Sequence, residues 1–108
     1  MSVLELTDAT FDEVVGAAGV PVLVEFTAPW CRPCTIMAPV LEQLASELDG
    51  ELLVGTLDVD GNRVSMARHR VMGTPTMVLF VDGREQHRLV GARGTGRLRN
   101  ELAPFLTP

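Results

Sequence analysis

The sequence contains no lysine, and all nine of its basic residues are arginine. Fourteen acidic residues outnumber them and give a net charge of −5, which argues against a nucleic-acid-binding protein because phosphate contacts need a surplus of positive charge. No apolar run approaches the roughly eighteen residues of a membrane-spanning helix. The amino-terminal residues lack the basic region and the apolar core of a signal peptide. We therefore expect a cytoplasmic protein that binds neither membranes nor nucleic acids.

Histidine and cysteine are also scarce. A zinc site needs about four ligands, and His69 and His87 lie far from Cys31 and Cys34 without a zinc-finger spacing, so we expect no metal. A structural disulfide between these cysteines would close too short a loop to stabilise the fold much. In a cytoplasmic protein, paired cysteines are more often catalytic or metal-bound than structural. The pair therefore predicts a redox-active dithiol.

The two cysteines lie where a predicted strand is followed by a predicted helix. Residues 22–26 form a mostly apolar, β-branched run, which is typical of a strand buried on both faces. Apolar residues then recur at helical spacing up to Leu48, so Cys31 lies at the helix start and Cys34 one turn further on. Unpaired N–H groups and the helix dipole favour a thiolate there. We expect Cys31 to be the more exposed, nucleophilic sulfur and Cys34 to attack a disulfide formed on it.

The rest of the pattern predicts one α/β domain over residues 1–108, with a central mixed sheet and helices on both faces in the order βαβαβαββα. Four helices are predicted. Thr10 caps the first and Gly19 ends it, and the second has Pro39 inside it and Gly50 after it. Asp60 caps the third, which runs to about His69 with Val64 and Ala67 facing inward, and the last buries Leu98, Leu102, Phe105 and Leu106. The predicted strands cover residues 3–6, 22–26, 52–59, 76–81 and 86–90, the last two joined by a tight turn at Asp82-Gly83.

The segment Trp30-Cys31-Arg32-Pro33-Cys34 resembles the active site of the thioredoxin family, normally Trp-Cys-Gly-Pro-Cys. The resemblance extends over nearly the whole chain. It includes a buried acid (Glu25), a helix-kinking proline (Pro39), a cis-proline loop (Gly73-Thr74-Pro75-Thr76), a late hairpin turn (Asp82-Gly83) and a strand-end glycine (Val90-Gly91-Ala92).

The resemblance implies the thioredoxin fold and a protein-disulfide oxidoreductase that reduces client proteins by dithiol–disulfide exchange. In that chemistry Cys31 attacks, Cys34 resolves the mixed disulfide, and Glu25 accepts the proton of Cys34; a strand-end acid that reaches solvent is the alternative for Glu25. The two thiols carry the electrons, so no bound cofactor is expected. Thioredoxin reductase is the implied electron donor, and we expect a monomer.

The resemblance also implies a client-binding surface around the cysteines. The bond before Pro75 is expected to be cis, and the backbone of Thr74 can pair with an extended client segment. Trp30, Pro33, Met72 and Gly91 are expected to form an apolar rim. The alternatives are that Pro75 is an ordinary turn proline and that Trp30 simply packs.

Four residues depart from the family pattern. Thr27 replaces an aromatic residue, Thr56 replaces a lysine near the buried acid, and Thr74 replaces a bulky aliphatic residue. Arg32 stands where the family has glycine, and a cation beside Cys31 should stabilise the thiolate and make the protein more oxidising. Two alternative functions therefore stay open: a thiol oxidant or isomerase of raised potential, and a binding module in which the thiols take no part.

Overall fold

A computed structural model describes residues 3–106 of the chain. Met1, Ser2 and the last two residues, which belong to the predicted domain, lie outside this range. The strands are β1 (Leu4–Leu6), β2 (Val22–Thr27), β3 (Leu53–Asp58), β4 (Thr76–Val81) and β5 (Arg84–Val90). The helices are α1 (Phe11–Ala17), α2 (Arg32–Glu47), α3 (Arg63–Arg68) and α4 (Thr95–Leu102), and a short 3₁₀ turn (Ala103–Phe105) follows. The predicted βαβαβαββα order is confirmed.

The five strands form one mixed sheet in the order β1-β3-β2-β4-β5. Strand β3 runs parallel to both β1 and β2, whereas β4 is antiparallel to β2 and to β5. The central strand β2 has five fully buried residues and only Thr27 partly exposed. A continuous apolar run is what burial on both faces requires, because neighbouring side chains of a strand point to opposite faces.

Helices cover both faces of this sheet, as predicted. Two buried clusters show the division. One contains Phe11 and Val15 of α1, and the other contains Met37 and Leu41 of α2 with Leu98 of α4. Strand β2 contributes alternate residues to both clusters, so it links the two halves of the core.

Helix α2 has the features that the sequence predicts. Cys31 is its N-cap, Pro33 lies in its first turn, and Pro39 lies inside it. Proline suits the first turn because the N–H that it lacks would have no partner there. The helix ends at Glu47, and Gly50 follows with a φ of 83°, a left-handed conformation that glycine adopts without steric cost.

Several predictions about the smaller helices are wrong. The Thr10 side chain makes no cap bond to α1; its hydroxyl accepts a hydrogen bond from the Thr7 N–H instead. Helix α3 begins at Arg63, not after Asp60, and Asp8 caps it from a distant loop by accepting from the Ser65 N–H at 2.8 Å. Val64 is exposed, because this short helix turns its Ser65 side to the protein.

Two further predictions about which side chains face the core are also wrong. Ala67 is exposed, while Met66 packs partly buried against the core. At the carboxyl end Leu98 and Leu102 are fully buried, but Phe105 and Leu106 lie beyond α4 and are only half-buried. The helical spacing places the apolar residues correctly in α4 but does not show that the helix stops at Leu102.

Candidate active site

The strand register brings three chain segments together at one end of the sheet. Phe26, near the end of β2, pairs with Thr76 at the start of β4, and Thr76 also pairs with Val90 at the end of β5. The loop after β2, the loop before β4 and the loop after β5 are therefore neighbours. They carry the cysteine pair, Pro75 and Gly91, respectively.

Cys31 and Cys34 form a disulfide, with their Cα atoms 5.3 Å apart. Cys31 is the N-cap of α2, and its Sγ accepts a hydrogen bond from the Cys34 N–H at 3.3 Å. An N-cap side chain normally satisfies one of the free N–H groups of the first helical turn. Here a sulfur atom takes that place, so negative charge on it meets the positive end of the helix dipole.

The expectation that Cys31 is the more exposed sulfur is wrong for this oxidised state. Cys31 is 4% exposed and Cys34 is 6% exposed. The surrounding residues Ala28, Val59 and Val71 belong to the same buried cluster, so the disulfide is packed at the margin of the core. The two cysteines therefore differ mainly in their position on the helix, since both residues are buried.

The peptide bond between Thr74 and Pro75 is cis, as predicted. Pro75 is buried, and its carbonyl accepts a hydrogen bond from the Gly91 N–H at 3.0 Å. Gly91 has a φ of 99°, which an L side chain rarely adopts. The cis-proline loop and the loop after β5 are thus joined directly by one backbone hydrogen bond.

Glu25 is 2% exposed, which excludes an acid that extends into solvent. Its backbone neighbours across the sheet are Thr56 and Met77, so no cation opposes it there. Its Oε2 atom has no hydrogen-bond partner within the described residues. Burial removes water from the carboxylate and raises the pKa of Glu25 to about 7.

A cavity of about 410 Å³ is lined by both this acid and Cys34. Its lining includes Glu25, Cys34, Thr27 and Thr56. The two threonines are short where the family pattern has an aromatic ring and a lysine, which leaves space beside the carboxyl group. Glu25 and Cys34 therefore line the same cavity.

Trp30, Pro33, Met72 and Arg32 are all exposed around the disulfide. Trp30 is 68% exposed and Met72 is 93% exposed, so neither is part of the core. The indole N–H of Trp30 donates to Asp60 Oδ2 at 2.9 Å, which fixes the ring at the surface. Large exposed apolar side chains beside the cysteines and before the cis-proline loop are the kind of surface that favours binding.

Some residues at this end of the sheet are not predictable from sequence patterns. Asp60 holds the Trp30 ring instead of capping α3. Arg93 is bound to Glu101 and to the loop that contains Gly91. Neither interaction has a sequence signal, because Asp60 lies thirty residues from Trp30, and Arg93 lies in the loop before α4 and not in the helix that contains Glu101.

Within residues 3–106 no group of three or more His, Cys, Asp or Glu side chains is arranged to hold a metal ion. In the same part of the chain, no helix has both the length and the apolar character needed to cross a bilayer.

A disulfide at the start of a helix, beside a cis-proline loop and above a buried carboxyl group, defines the class of thiol–disulfide oxidoreductases. A family model described as thioredoxin matches residues 2–104. The chain therefore belongs to the thioredoxin family, as its motifs predicted, and disulfide oxidoreductase activity follows from that membership.

Individual relatives agree with this assignment. The chain is 44% identical over 100 residues to a thioredoxin of Mycobacterium tuberculosis (strain ATCC 25618 / H37Rv), covering 93% of this chain and 86% of that protein. It is 44% identical over 106 residues to a thioredoxin of Staphylococcus aureus (strain MW2), covering 98% of this chain and 100% of that one. It is also 45% identical over 100 residues to a bifunctional thioredoxin reductase/thioredoxin of Mycobacterium leprae (strain TN), covering 93% of this chain and 22% of that protein.

Proposed function

We propose that this protein reduces disulfides in client proteins, with Cys31 as the attacking sulfur. The observation that carries the proposal is the position of Cys31 as N-cap of α2, where its Sγ accepts the Cys34 N–H. Such a position lowers the pKa of a thiol and increases the thiolate fraction at neutral pH. The Cys31 thiolate attacks one client sulfur, forms a mixed disulfide and releases the other client sulfur as a thiolate.

Cys34 then resolves the mixed disulfide. Its thiolate attacks Cys31 Sγ, the bond to the client breaks, and the client leaves fully reduced while Cys31 and Cys34 become the oxidised pair. Glu25 accepts the proton of Cys34 through their shared cavity. A pKa of about 7 suits this role, because a base works best when its pKa lies near the working pH.

The exposed rim is proposed to bind the client. The backbone of Thr74, next to the cis bond, pairs with an extended client segment, since strand addition uses free backbone groups. Trp30, Pro33, Met72 and Gly91 contact the client side chains. Pro75 supplies no N–H, so the sulfurs face no competing donor at that position.

Arg32 supports a second candidate function, that of a thiol oxidant or isomerase. Its side chain is exposed next to Cys31, and no salt bridge among residues 3–106 engages it. A free cation stabilises the thiolate, and so the reduced state, which raises the reduction potential. We prefer the reductase because the relatives that match most of this chain are thioredoxins.

The remaining features follow from this proposal. The chain is a single thioredoxin domain over residues 1–108 that acts as a monomer, and the two thiols carry the electrons without a bound cofactor or metal. A thioredoxin reductase recharges the pair, which the bifunctional Mycobacterium leprae relative supports because one chain joins both activities. We place the protein in the cytoplasm, where reducing conditions maintain dithiols.

A trapping experiment tests the proposed steps. With Cys34→Ser, the mixed disulfide cannot be resolved, so client proteins should remain covalently attached to Cys31 and be released by dithiothreitol. Cys31→Ser is the matched control and should trap none. If Cys34→Ser traps no client and Cys31→Ser, or the double variant, still binds a partner tightly, the protein is a binding module.

A redox titration decides between reductase and oxidant. Trp30 adjoins Cys31 and is the one tryptophan of the sequence, so its fluorescence can follow the pair in a dithiothreitol or glutathione buffer. A potential near about −270 mV supports the reductase. A value between about −180 and −120 mV supports the oxidant or isomerase.

A further inference from the structure

Arg93 belongs to the loop between β5 and α4, and its side chain folds back against the start of that loop. It is 7% exposed, although arginine is rarely buried without partners. Its Nη1 contacts both carboxylate oxygens of Glu101 on α4, at 2.8 and 2.9 Å. The Glu101 side chain is 27% exposed, so only the Arg93 half of this ion pair is buried; Arg97, which lies 3.7 Å from the same carboxylate, is 67% exposed and is held less firmly.

The rest of the guanidinium group binds the backbone of the loop itself. Its Nη2 donates to the Val90 carbonyl at 2.6 Å, and its Nε donates to the Gly91 carbonyl at 3.2 Å. The planar guanidinium group has fixed donor directions, so it holds two successive carbonyl groups at once. This side chain therefore links the end of β5 and the start of the loop to α4.

The same loop contacts the cis-proline loop and the helix of the cysteines. The Gly91 N–H donates to the Pro75 carbonyl at 3.0 Å. The Arg93 backbone N–H donates to the sulfur of Met37, a fully buried residue of α2, at 3.4 Å. Arg93 thus connects α4, α2 and the end of β5 around the disulfide.

We propose that Arg93 is a positioning residue for client binding. By holding Val90 and Gly91 against Pro75, it forms one wall of the client site before the client arrives. A wall that is already ordered saves the entropy that a loose loop would lose on binding, and this saving increases affinity. The inference rests on the proposed client-reducing function, but the hydrogen bonds that it uses are tested separately.

The first test measures the loop directly. In Arg93→Met, which keeps the length and apolar stem of the side chain, the Gly91 amide should exchange with solvent deuterium at least about tenfold faster than in the parent protein, since the opening free energy falls by at least 1.4 kcal/mol. Arg97→Met is the matched control, because it also removes a cation from Glu101 but contacts no loop carbonyl. Equal exchange of Gly91 in parent protein and Arg93→Met overturns the proposal.

The second test measures the consequence for clients. We expect Arg93→Met to reduce insulin about five- to tenfold more slowly than the parent protein, because the loop must be ordered in each encounter. Its rate with hydroxyethyl disulfide, which is too small to contact the wall, and its reduction potential should not change. Arg93→Lys should recover only part of the insulin rate, since an ammonium group cannot bind both carbonyl groups in the same way.

The outcomes separate the two proposals. A parent protein that reduces no insulin contradicts the proposed function, whereas an active parent protein with an unchanged insulin rate in Arg93→Met contradicts only the role of Arg93. Equal slowing with insulin and hydroxyethyl disulfide also overturns it, because a structural defect would affect both. If Arg93→Met does not fold, Glu101→Gln provides the same comparison, with a smaller selective loss expected.

Discussion

The buried carboxyl group of Glu25 should make the stability of this protein depend on pH in a specific way. Its pKa is about 7 in the folded protein and 4.5 ordinarily. Between these values the folded state holds a proton that the unfolded state has released, so the free energy of unfolding falls as the pH rises. The stabilising contribution is complete below pH 4.5 and is lost as the pH rises through about 7.

The size of the effect follows from the two pKa values. Their difference of about 2.5 corresponds to about 3 kcal/mol, since each pKa unit is about 1.4 kcal/mol. Glu25→Gln keeps the shape of the side chain but cannot ionise, so it avoids this loss at high pH. The replacement also lowers the free energy of unfolding by an amount that does not depend on pH, because the buried amide group lacks a hydrogen-bond partner just as Glu25 Oε2 does.

The assay is urea unfolding of the oxidised protein at a series of pH values from 4 to 8.5. The free energy of unfolding of Glu25→Gln minus that of the parent protein should increase by about 3 kcal/mol across this range. Glu42→Gln is the control, because Glu42 lines the same cavity but is exposed. A difference that stays constant with pH would show that the Glu25 carboxylate is solvated or paired, and would refute the reasoning from burial.

Three other predictions can be tested with single variants. Arg32→Gly removes a cation that stabilises the Cys31 thiolate, so it should slow alkylation of Cys31 at neutral pH and lower the reduction potential. A tenfold change in the equilibrium constant corresponds to about 30 mV. An unchanged pH profile of alkylation would show that Arg32 has no such effect. Burial, with Arg68 and Arg88 nearby, holds the pKa of His69 below its usual range, so the contribution of His69 to the free energy of unfolding should fall as the pH drops below about 6.5. The melting temperature of His69→Phe minus that of the parent protein should therefore rise on acidification below pH 6.5, and a difference that does not change with pH would contradict this prediction. Gly55→Ala should lower the free energy of unfolding by about 1–3 kcal/mol, because the new Cβ atom would collide with the Leu6 side chain. Gly61→Ala is the control, since its Cβ atom meets open space. Equal stability of the two variants in urea would show that β1 can move away from the new methyl group.

The order of elements, and the places of the cysteine pair, the cis-proline and the buried acid in the fold, were predictable because their signals are local. Continuous apolar runs indicate buried strands, and the helical spacing after Cys34 indicates α2. The cysteine pair, the Thr-Pro sequence and the buried acid each have a recognisable pattern. The register of β2, β4 and β5, which could not be read from the sequence, then brings these residues together at one end of the sheet.

Most of the errors concern interactions between distant parts of the chain. Thr10 is an exception, because its hydroxyl accepts a hydrogen bond from the nearby Thr7 N–H. Asp60 is a good capping residue by type, yet Asp8 caps α3 from 57 residues away. His69 contacts the rings of Phe11, Phe26 and Phe80, which come from three different elements. The Arg93–Glu101 pair depends on the path of the loop after β5. No spacing rule finds such contacts, because tertiary packing alone creates them.

The strand order β1-β3-β2-β4-β5 also determines how the sheet can form during synthesis. The first strand to leave the ribosome, β1, pairs with β3 alone, so Leu4–Leu6 must wait until Leu53–Asp58 has emerged. Strand β2 obtains its parallel partner at the same moment and its antiparallel partner, β4, only later. Strand β1 therefore waits through the synthesis of α1, β2 and α2 before its neighbour exists, whereas β5 can pair with β4 as soon as it is made.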